Sequence, residues 1–170
     1  MRPAPGRFNV LLTEDRPHPS EHWTIQLPRL LEPQGVQSFV VRSGHEAVAV
    51  VERFEVHAAV IDLATPLDAG PGQAARQQAS RTAGLWLVEL FRRLPHAPPV
   101  VIVHDTAFSH RDVTRLMHDA LRLGAFSILA KPVELEQLLA VLQRLLERQY
   151  RGAWPGRGSK PPQMDTDEHG

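Results

Sequence analysis

Two short apolar runs of this sequence end abruptly on carboxylates. Residues 8–13 lead into Glu14 and Asp15, and residues 58–61 lead into Asp62. Three carboxylates brought together would repel one another unless a cation neutralised them. Mg²⁺ suits this task because it prefers oxygen ligands and is commonly shared with a phosphoryl group. Asp62 has a second interpretation as the cap of a turn, since Asp near Pro and Gly is common turn chemistry.

Two further apolar runs end on residues that could face the same site. Residues 99–103 lead to His104, and residues 125–130 lead to Lys131. The chain is rich in arginine, and Lys131 and Lys160 are its only lysines. A compact ammonium approaches a single oxyanion more closely than a wide guanidinium does. We therefore expect Lys131 to face a phosphoryl group brought to Asp62, with positioning and charge neutralisation as the protein's task.

The hydrophobic pattern places these residues at the carboxyl ends of strands. A strand followed by a helix, repeated five times, requires a parallel sheet with right-handed crossovers and helices on both faces. With five strands the usual order is 2-1-3-4-5, which brings strands 1 and 3 together where ligands bind. The predicted strands are 8–13, 36–41, 58–62, 99–104 and 125–130. The predicted helices are a segment opened by Ser20 or Glu21 and interrupted at Pro28, then 44–54, 84–94, 109–123 and 133–150.

The rest of the chain is predicted to lie outside this α/β domain, which spans residues 8–150. Residues 1–7 form a flexible N-terminus, and residues 67–83 form a flexible insertion with little apolar content and room for a short helical stretch. Residues 151–170 form a polar tail that we expect to be disordered. This tail is too short and too polar to fold as an output domain with its own core.

Composition excludes several classes of protein. The 170 residues carry a formal net charge of zero, so no global charge argues for nucleic-acid binding. The absence of cysteine excludes disulfides and any zinc site that requires cysteine. No secretory signal and no run of about 20 apolar residues is present, so we expect a soluble cytoplasmic protein without a membrane partner.

The set of strand-end residues resembles the receiver domain of two-component response regulators. The acidic pair of that family matches Leu-Leu-Thr-Glu-Asp-Arg-Pro at 11–17, and its phosphoacceptor motif Asp-Leu-x-x-Pro matches 62–66. Its Lys-Pro motif matches residues 131–132, and the resemblance covers about Phe8 to Tyr150. Each motif is weak alone, but their order and spacing together are fairly specific.

The resemblance implies a flavodoxin-like fold and a stand-alone phosphoacceptor in a two-component phosphorelay, a signalling domain rather than an enzyme. Asp62 would accept a phosphoryl group from a sensor histidine kinase or a phosphotransfer protein, and Lys131 would contact that group. Glu14, Asp15, Asp62 and the backbone carbonyl of Ala64 would hold Mg²⁺. The signal would leave through protein contacts, and the face formed by the fourth helix, fifth strand and fifth helix could support a homodimer.

Two positions depart from the family pattern. The Thr or Ser that usually ends strand 4 is His104 here, and it is followed by the additional acid Asp105. The switch aromatic, usually three residues before the lysine, falls on Ile128, whereas Phe126 is expected on the other face of the sheet. These departures leave open the alternative of a degenerate receiver that acts as an interaction module without phosphorylation.

Other classes fit the sequence less well. A phosphatase of the haloacid dehalogenase class needs a second acid two residues after its nucleophile, where this chain has Ala64. A flavin or dinucleotide domain needs a glycine-rich loop after strand 1, where residues 14–17 are Glu-Asp-Arg-Pro. The nine histidines show no metal-binding spacing such as His-Glu-x-x-His.

Overall fold

The computed structural model describes residues 7–14, 22–67, 77–105 and 110–150, with residues 77–83 described by their backbone alone. Strands and helices alternate through the described ranges, and a short 3₁₀ helix, Glu32–Gln34, follows the first α-helix. The strands are β1 Phe8–Thr13, β2 Val36–Val41, β3 Ala58–Asp62, β4 Val100–His104 and β5 Ser127–Ala130. The helices are α1 Trp23–Leu31, α2 Gly44–Arg53, α3 Gln77–Arg92, α4 His110–Arg122 and α5 Leu135–Tyr150.

The five strands form one parallel sheet in the order β2-β1-β3-β4-β5. This is the predicted flavodoxin-like order, and it is confirmed. In the register of the sheet, Asp62 of β3 lies opposite Val103, and His104 of β4 lies opposite Ala130 of β5. The strand-end residues therefore meet at one edge of the sheet, as the sequence predicted.

Each face of the sheet carries its own hydrophobic core, because successive strand residues point to opposite faces. On one face, side chains such as Leu12, Val60 and Val103 pack against α1 and α5. On the other face, Leu11, Ile61 and Ile102 pack against α2, α3 and α4. Burial on both faces explains why the central strands are continuous apolar runs instead of alternating ones.

Predicted helix boundaries agree with the structure where a capping residue marks them. Ser43 caps α2 by accepting a hydrogen bond from the backbone N–H of Glu46 at 3.2 Å. Gly35 ends the 3₁₀ helix with a φ of 82°, and Gly124 follows α4 with a φ of 75°. Both conformations lie in the left-handed region that favours glycine.

Helix α1 differs from its prediction at both points that the sequence singled out. It begins at Trp23 with His22 as its N-cap, instead of at Ser20 or Glu21. It also runs through Pro28 to Leu31 without interruption. The N–H of Glu32 still bonds to the carbonyl oxygen of Pro28, so the turn after the proline remains closed.

Helix α3 begins at Gln77, whereas its predicted start was Gly84. The second part of the predicted 67–83 insertion is therefore helical, and residues 68–76 lie outside the described residues. The predicted start at Gly84 followed the apolar face alone. The short helical stretch expected within the insertion forms the first turns of α3, which are built from Gln, Ala, Ser, Arg and Thr. The proposed N-terminal segment 1–7, apart from Arg7, and the proposed tail 151–170 also fall outside the described residues. Within the described residues, no helix combines the length and the apolar character needed to cross a membrane.

Candidate functional site

Asp62 and Lys131 form an ion pair at the carboxyl edge of the sheet. The Lys131 Nζ lies 2.6 Å from Asp62 Oδ2, and the Asp62 side chain is almost fully buried. Lys131 directly follows β5 and precedes Pro132, with a cis peptide bond between them. The lysine predicted to face the phosphoacceptor site is therefore in direct contact with the predicted acceptor.

The other oxygen of the same carboxylate caps the following turn. Asp62 Oδ1 accepts a hydrogen bond from the backbone N–H of Ala64 at 2.9 Å, and the Thr65 N–H donates to the Asp62 carbonyl at 3.0 Å. The turn-capping interpretation of Asp62 is thus confirmed for one of its two oxygens. One oxygen stabilises the turn, and the other pairs with a cation.

Two buried threonines hold the backbone of Asp62 in place. The Asp62 N–H donates to Thr13 Oγ1 at 2.8 Å, and the Thr65 hydroxyl donates to the same oxygen at 2.8 Å. Both threonines are fully buried. Thr13 and Thr65 were not predicted, because the hydrogen bonds that Thr13 makes with Thr65 and with the Asp62 backbone join residues about 50 positions apart in the sequence.

Glu14 follows β1 and is 6% exposed. Its Oε2 accepts a hydrogen bond from the Thr24 hydroxyl at 2.8 Å, and its Oε1 lies 3.2 Å from Arg42 Nε. The Glu14 N–H also bonds to the Val41 carbonyl of β2, which fixes its backbone beside the sheet. The other member of the acidic pair, Asp15, lies outside the described residues. Thr24 and Arg42 were not predicted, because nothing in their sequence spacing connects them to Glu14.

His104 closes β4 and is buried, with 7% of its surface exposed. Its Nδ1 lies 3.0 Å from the carbonyl oxygen of Asp105. A carbonyl oxygen can only accept, so Nδ1 carries a proton in this contact. The backbone carbonyl of His104 accepts from the Lys131 N–H at 2.8 Å, which joins the end of β4 to the lysine. Asp105 is exposed, and Thr106 lies outside the described residues.

The two candidate switch positions pack on opposite faces of the sheet. Strand alternation does not explain this, because residues two apart point to the same face, and Phe126 lies just before β5. Ile128 packs with the core that includes Leu116 and Ala120 of α4. Phe126 packs with the core on the α1 and α5 face. The position nearest α4 therefore holds an aliphatic side chain, and the aromatic ring lies on the far side.

The chemistry of the described acids fits a hard divalent cation. Glu14 and Asp62 are buried and offer only oxygen ligands, which Mg²⁺ prefers. In the described residues alone, no three His, Cys, Asp or Glu side chains are grouped closely enough to hold a metal ion. A complete site of the predicted kind requires Asp15 and the backbone carbonyl of Ala64 in addition.

Several solved structures with the same fold are receiver domains. The receiver domain of a putative Luxo repressor protein from Vibrio parahaemolyticus has a TM-score of 0.61 and 20% identity, covering 86% of this chain and 95% of that chain. The receiver domain of a histidine kinase from Syntrophus aciditrophicus has a TM-score of 0.59 and 25% identity, covering 85% and 93%.

A third similar structure carries ligands. A response regulator from Burkholderia pseudomallei, with a phosphorylated aspartic acid, calcium and citrate, has a TM-score of 0.56 and 23% identity, covering 86% of this chain and 73% of that chain. No family model and no curated protein matches the sequence. The resemblance to receiver domains is thus confirmed in the fold.

Proposed function

Because this chain has the fold of response regulator receiver domains, we propose that it is a phosphoacceptor in a two-component phosphorelay, phosphorylated on Asp62. The observation that carries the proposal is the contact between Asp62 and Lys131, at 2.6 Å between Oδ2 and Nζ. A buried acid at the end of β3, paired with a lysine that follows β5 two strands away, provides a nucleophile together with a cation for the incoming phosphoryl group.

The proposed reaction moves a phosphoryl group from a phosphohistidine to Asp62. A carboxylate oxygen of Asp62 attacks phosphorus, and an O–P bond forms as the N–P bond to the imidazole breaks. The imidazole leaves with the electron pair of that bond. Lys131 then pairs with a phosphoryl oxygen, because the phosphoryl group brings more negative charge than the carboxylate carried before. The hydrogen bonds to Thr13 and Ala64 keep the turn that carries Asp62 in position.

We propose that Glu14, Asp15, Asp62 and the backbone carbonyl of Ala64 hold Mg²⁺ for this reaction. When bound, the ion would neutralise the acids and the oxygens of the phosphoryl group. Glu14 contributes a buried carboxylate already held in place by Thr24. The similar Burkholderia structure contains both a calcium ion and a phosphorylated aspartic acid, which supports a protein of this fold having a phosphoacceptor and a divalent cation together.

The proposed partners are a sensor histidine kinase or phosphotransfer protein and a downstream protein that reads the phosphorylated state. We place the chain in the cytoplasm and expect no direct contact with nucleic acid. The face formed by α4, β5 and α5 is the proposed output surface and could support a homodimer. Met117 and Leu121 of α4 are large exposed apolar residues, at 46% and 71% exposure, which suits such a contact.

The test is phosphorylation by a small phosphodonor. The protein is incubated with acetyl phosphate and Mg²⁺ and weighed intact, beside Asp62→Asn and the control Asp112→Asn, which changes an exposed acid on α4. We expect one acid-labile phosphoryl adduct on the wild type and on the control, and none on Asp62→Asn. If the wild-type protein gains no phosphoryl adduct in the presence of acetyl phosphate and Mg²⁺, the proposal is wrong.

A second candidate function is an interaction module that works without phosphorylation. His104 stands where receivers carry Thr or Ser, Asp105 adds an exposed acid beside it, and Ile128 replaces the switch aromatic. Such a module would bind its partner equally well as wild type and as Asp62→Asn. It would also fail to bind beryllofluoride with Mg²⁺, which mimics the phosphoryl group. A phosphorylatable receiver would bind this complex.

A further inference from the structure

Arg42 lies directly after β2 and reaches across to the acid that follows β1. Its Nε lies 3.2 Å from Glu14 Oε1, and 58% of its side chain is exposed compared with 7% for Glu14. The same guanidinium therefore has one buried anionic partner and a large surface in water. No role follows for Arg42 from the strand-end motifs, since it belongs to none of them.

The contact between Arg42 and Glu14 affects the charge balance of the proposed metal site. Of the two described acids at the site, Asp62 pairs with Lys131 and Glu14 pairs with Arg42. Each carboxylate thus has a cation of the protein beside it before any metal ion arrives. A divalent cation that uses Glu14 must share that carboxylate with a guanidinium or displace it.

We propose that Arg42 competes with Mg²⁺ for Glu14 and thereby lowers the affinity of the metal site. This inference rests on the proposed function, because it requires that Glu14 belongs to a Mg²⁺ site. Arg42 is a positioning residue in this account, since it acts on the metal only through Glu14.

The surrounding contacts allow the guanidinium to leave while Glu14 stays. The Thr24 hydroxyl donates to the other oxygen of Glu14, and Thr24 is 1% exposed. The backbone N–H of Arg42 donates to Glu46 Oε2 at 2.8 Å, so the backbone is anchored independently of the side chain. A bound cation would take over the neutralisation of the buried Glu14 carboxylate, so the largely exposed Arg42 side chain can move into water without leaving a buried charge unpaired.

The experiment measures Mg²⁺ affinity by calorimetric titration, with the Mg²⁺-dependent shift of the thermal midpoint as a second readout. Arg42→Gln removes the charge and keeps a polar side chain of similar shape, and Arg42→Lys keeps the charge. Arg53→Gln is the matched control, because it removes an exposed arginine from the last turn of α2. Asp62→Asn and Glu14→Gln test whether the bound ion is at the proposed site.

We expect Arg42→Gln to bind Mg²⁺ about three- to tenfold more tightly than wild type, with Arg42→Lys and Arg53→Gln close to wild type. The difference should shrink in about 0.5 M salt, because an exposed charge is screened. Asp62→Asn and Glu14→Gln should both weaken binding.

The outcomes separate this inference from the proposed function. Suppose that wild type binds Mg²⁺ through Asp62 and that Arg42→Gln binds Mg²⁺ no more tightly than wild type. The proposed competition by Arg42 is then wrong, but the proposed phosphoacceptor site is not contradicted. If Arg42→Gln alone binds, the competition is stronger than expected and the inference holds. If neither binds, the Mg²⁺ site itself is wrong, and the inference is overturned with it.

Discussion

Gly84 of α3 packs directly on the backbone of Leu63, the residue that follows Asp62. A Cβ on Gly84 would lie 2.5 Å from Leu63 Cα and 2.9 Å from its carbonyl oxygen. Backbone atoms cannot move aside as the end of a flexible side chain can. The absence of a side chain at Gly84 therefore allows α3 to support the loop that carries the proposed acceptor.

Replacing Gly84 with alanine should push α3 away from this loop. We expect a loss of about 1–3 kcal/mol in the free energy of unfolding, the usual effect of overpacking, despite the better helix propensity of alanine. Chemical denaturation provides the measurement. Gly44→Ala is the comparison, because its new Cβ would meet mainly the flexible end of Leu67 at 3.0 Å. An equal effect of the two substitutions would contradict the role assigned to Gly84.

Thr13→Val tests the threonine that holds the backbone of Asp62. Valine has nearly the same shape but leaves the buried Asp62 N–H without its present acceptor. We expect a loss of about 1–3 kcal/mol in the free energy of unfolding and slower phosphorylation by acetyl phosphate. Thr114→Val is the control, since that exposed hydroxyl donates only to the carbonyl of His110 within α4. Unchanged stability of Thr13→Val would count against this support.

Lys131→Met tests the cation beside Asp62. Its loss removes the ammonium that lies beside a buried carboxylate, and we expect destabilisation by about 3 kcal/mol. This value is the lower end of the range for breaking a buried ion pair, and it is chosen because a quarter of the lysine side chain is exposed. The double variant Asp62→Asn with Lys131→Met should recover part of the loss, since the buried carboxylate whose charge Lys131 balanced is also removed. If the double variant loses as much free energy of unfolding as the two single variants together, Asp62 and Lys131 have no coupling free energy and the prediction is wrong.

The burial of His57, which lies at the end of the sheet opposite Asp62, predicts that the stability of the protein depends on pH. Its Nδ1 accepts a hydrogen bond from the Asn9 N–H at 2.9 Å, so the ring is neutral in this contact. Burial lowers the pKa of His57 from its ordinary value of 6.5, although nearby Glu55 acts in the raising direction. The unfolded chain therefore binds this proton more readily than the folded chain does. The contribution is fully present above pH 6.5 and is lost as pH falls below that value.

Denaturation at pH 7.5 and at pH 5.5 measures this contribution. The loss of stability on acidification should be smaller in His57→Gln than in wild type. His96→Gln, which changes an exposed histidine, should keep the wild-type dependence. Identical pH dependence in His57→Gln and wild type would show that this ring does not contribute.

Much of the fold could be predicted from the sequence because burial on both faces leaves a strong pattern. The bounds of β1, β2 and β3 agree with the predicted strands residue for residue. The start of α3 was wrong, since its first turns lack an apolar face and a helix of that kind gives no periodic signal.

The acids and the lysine of the site could be predicted because each lies at or directly after the end of a strand. The carboxyl ends of parallel strands all lie at the same edge of the sheet. Thr13, Thr24 and Arg42 could not be found in this way. Their contacts join different elements, so only the packing of β1, β2 and α1 brings them to Asp62 and Glu14. The supporting hydrogen bonds of a site depend on tertiary geometry more than on local sequence.

The most direct test of the central claim is to locate the phosphoryl group within the chain. After incubation with acetyl phosphate and Mg²⁺, borohydride reduces an aspartyl phosphate to homoserine, which peptide mass spectrometry assigns to one position. The account predicts homoserine at residue 62, with Asp105 and the other acids unchanged. Homoserine at Asp105, or at no position, would contradict it.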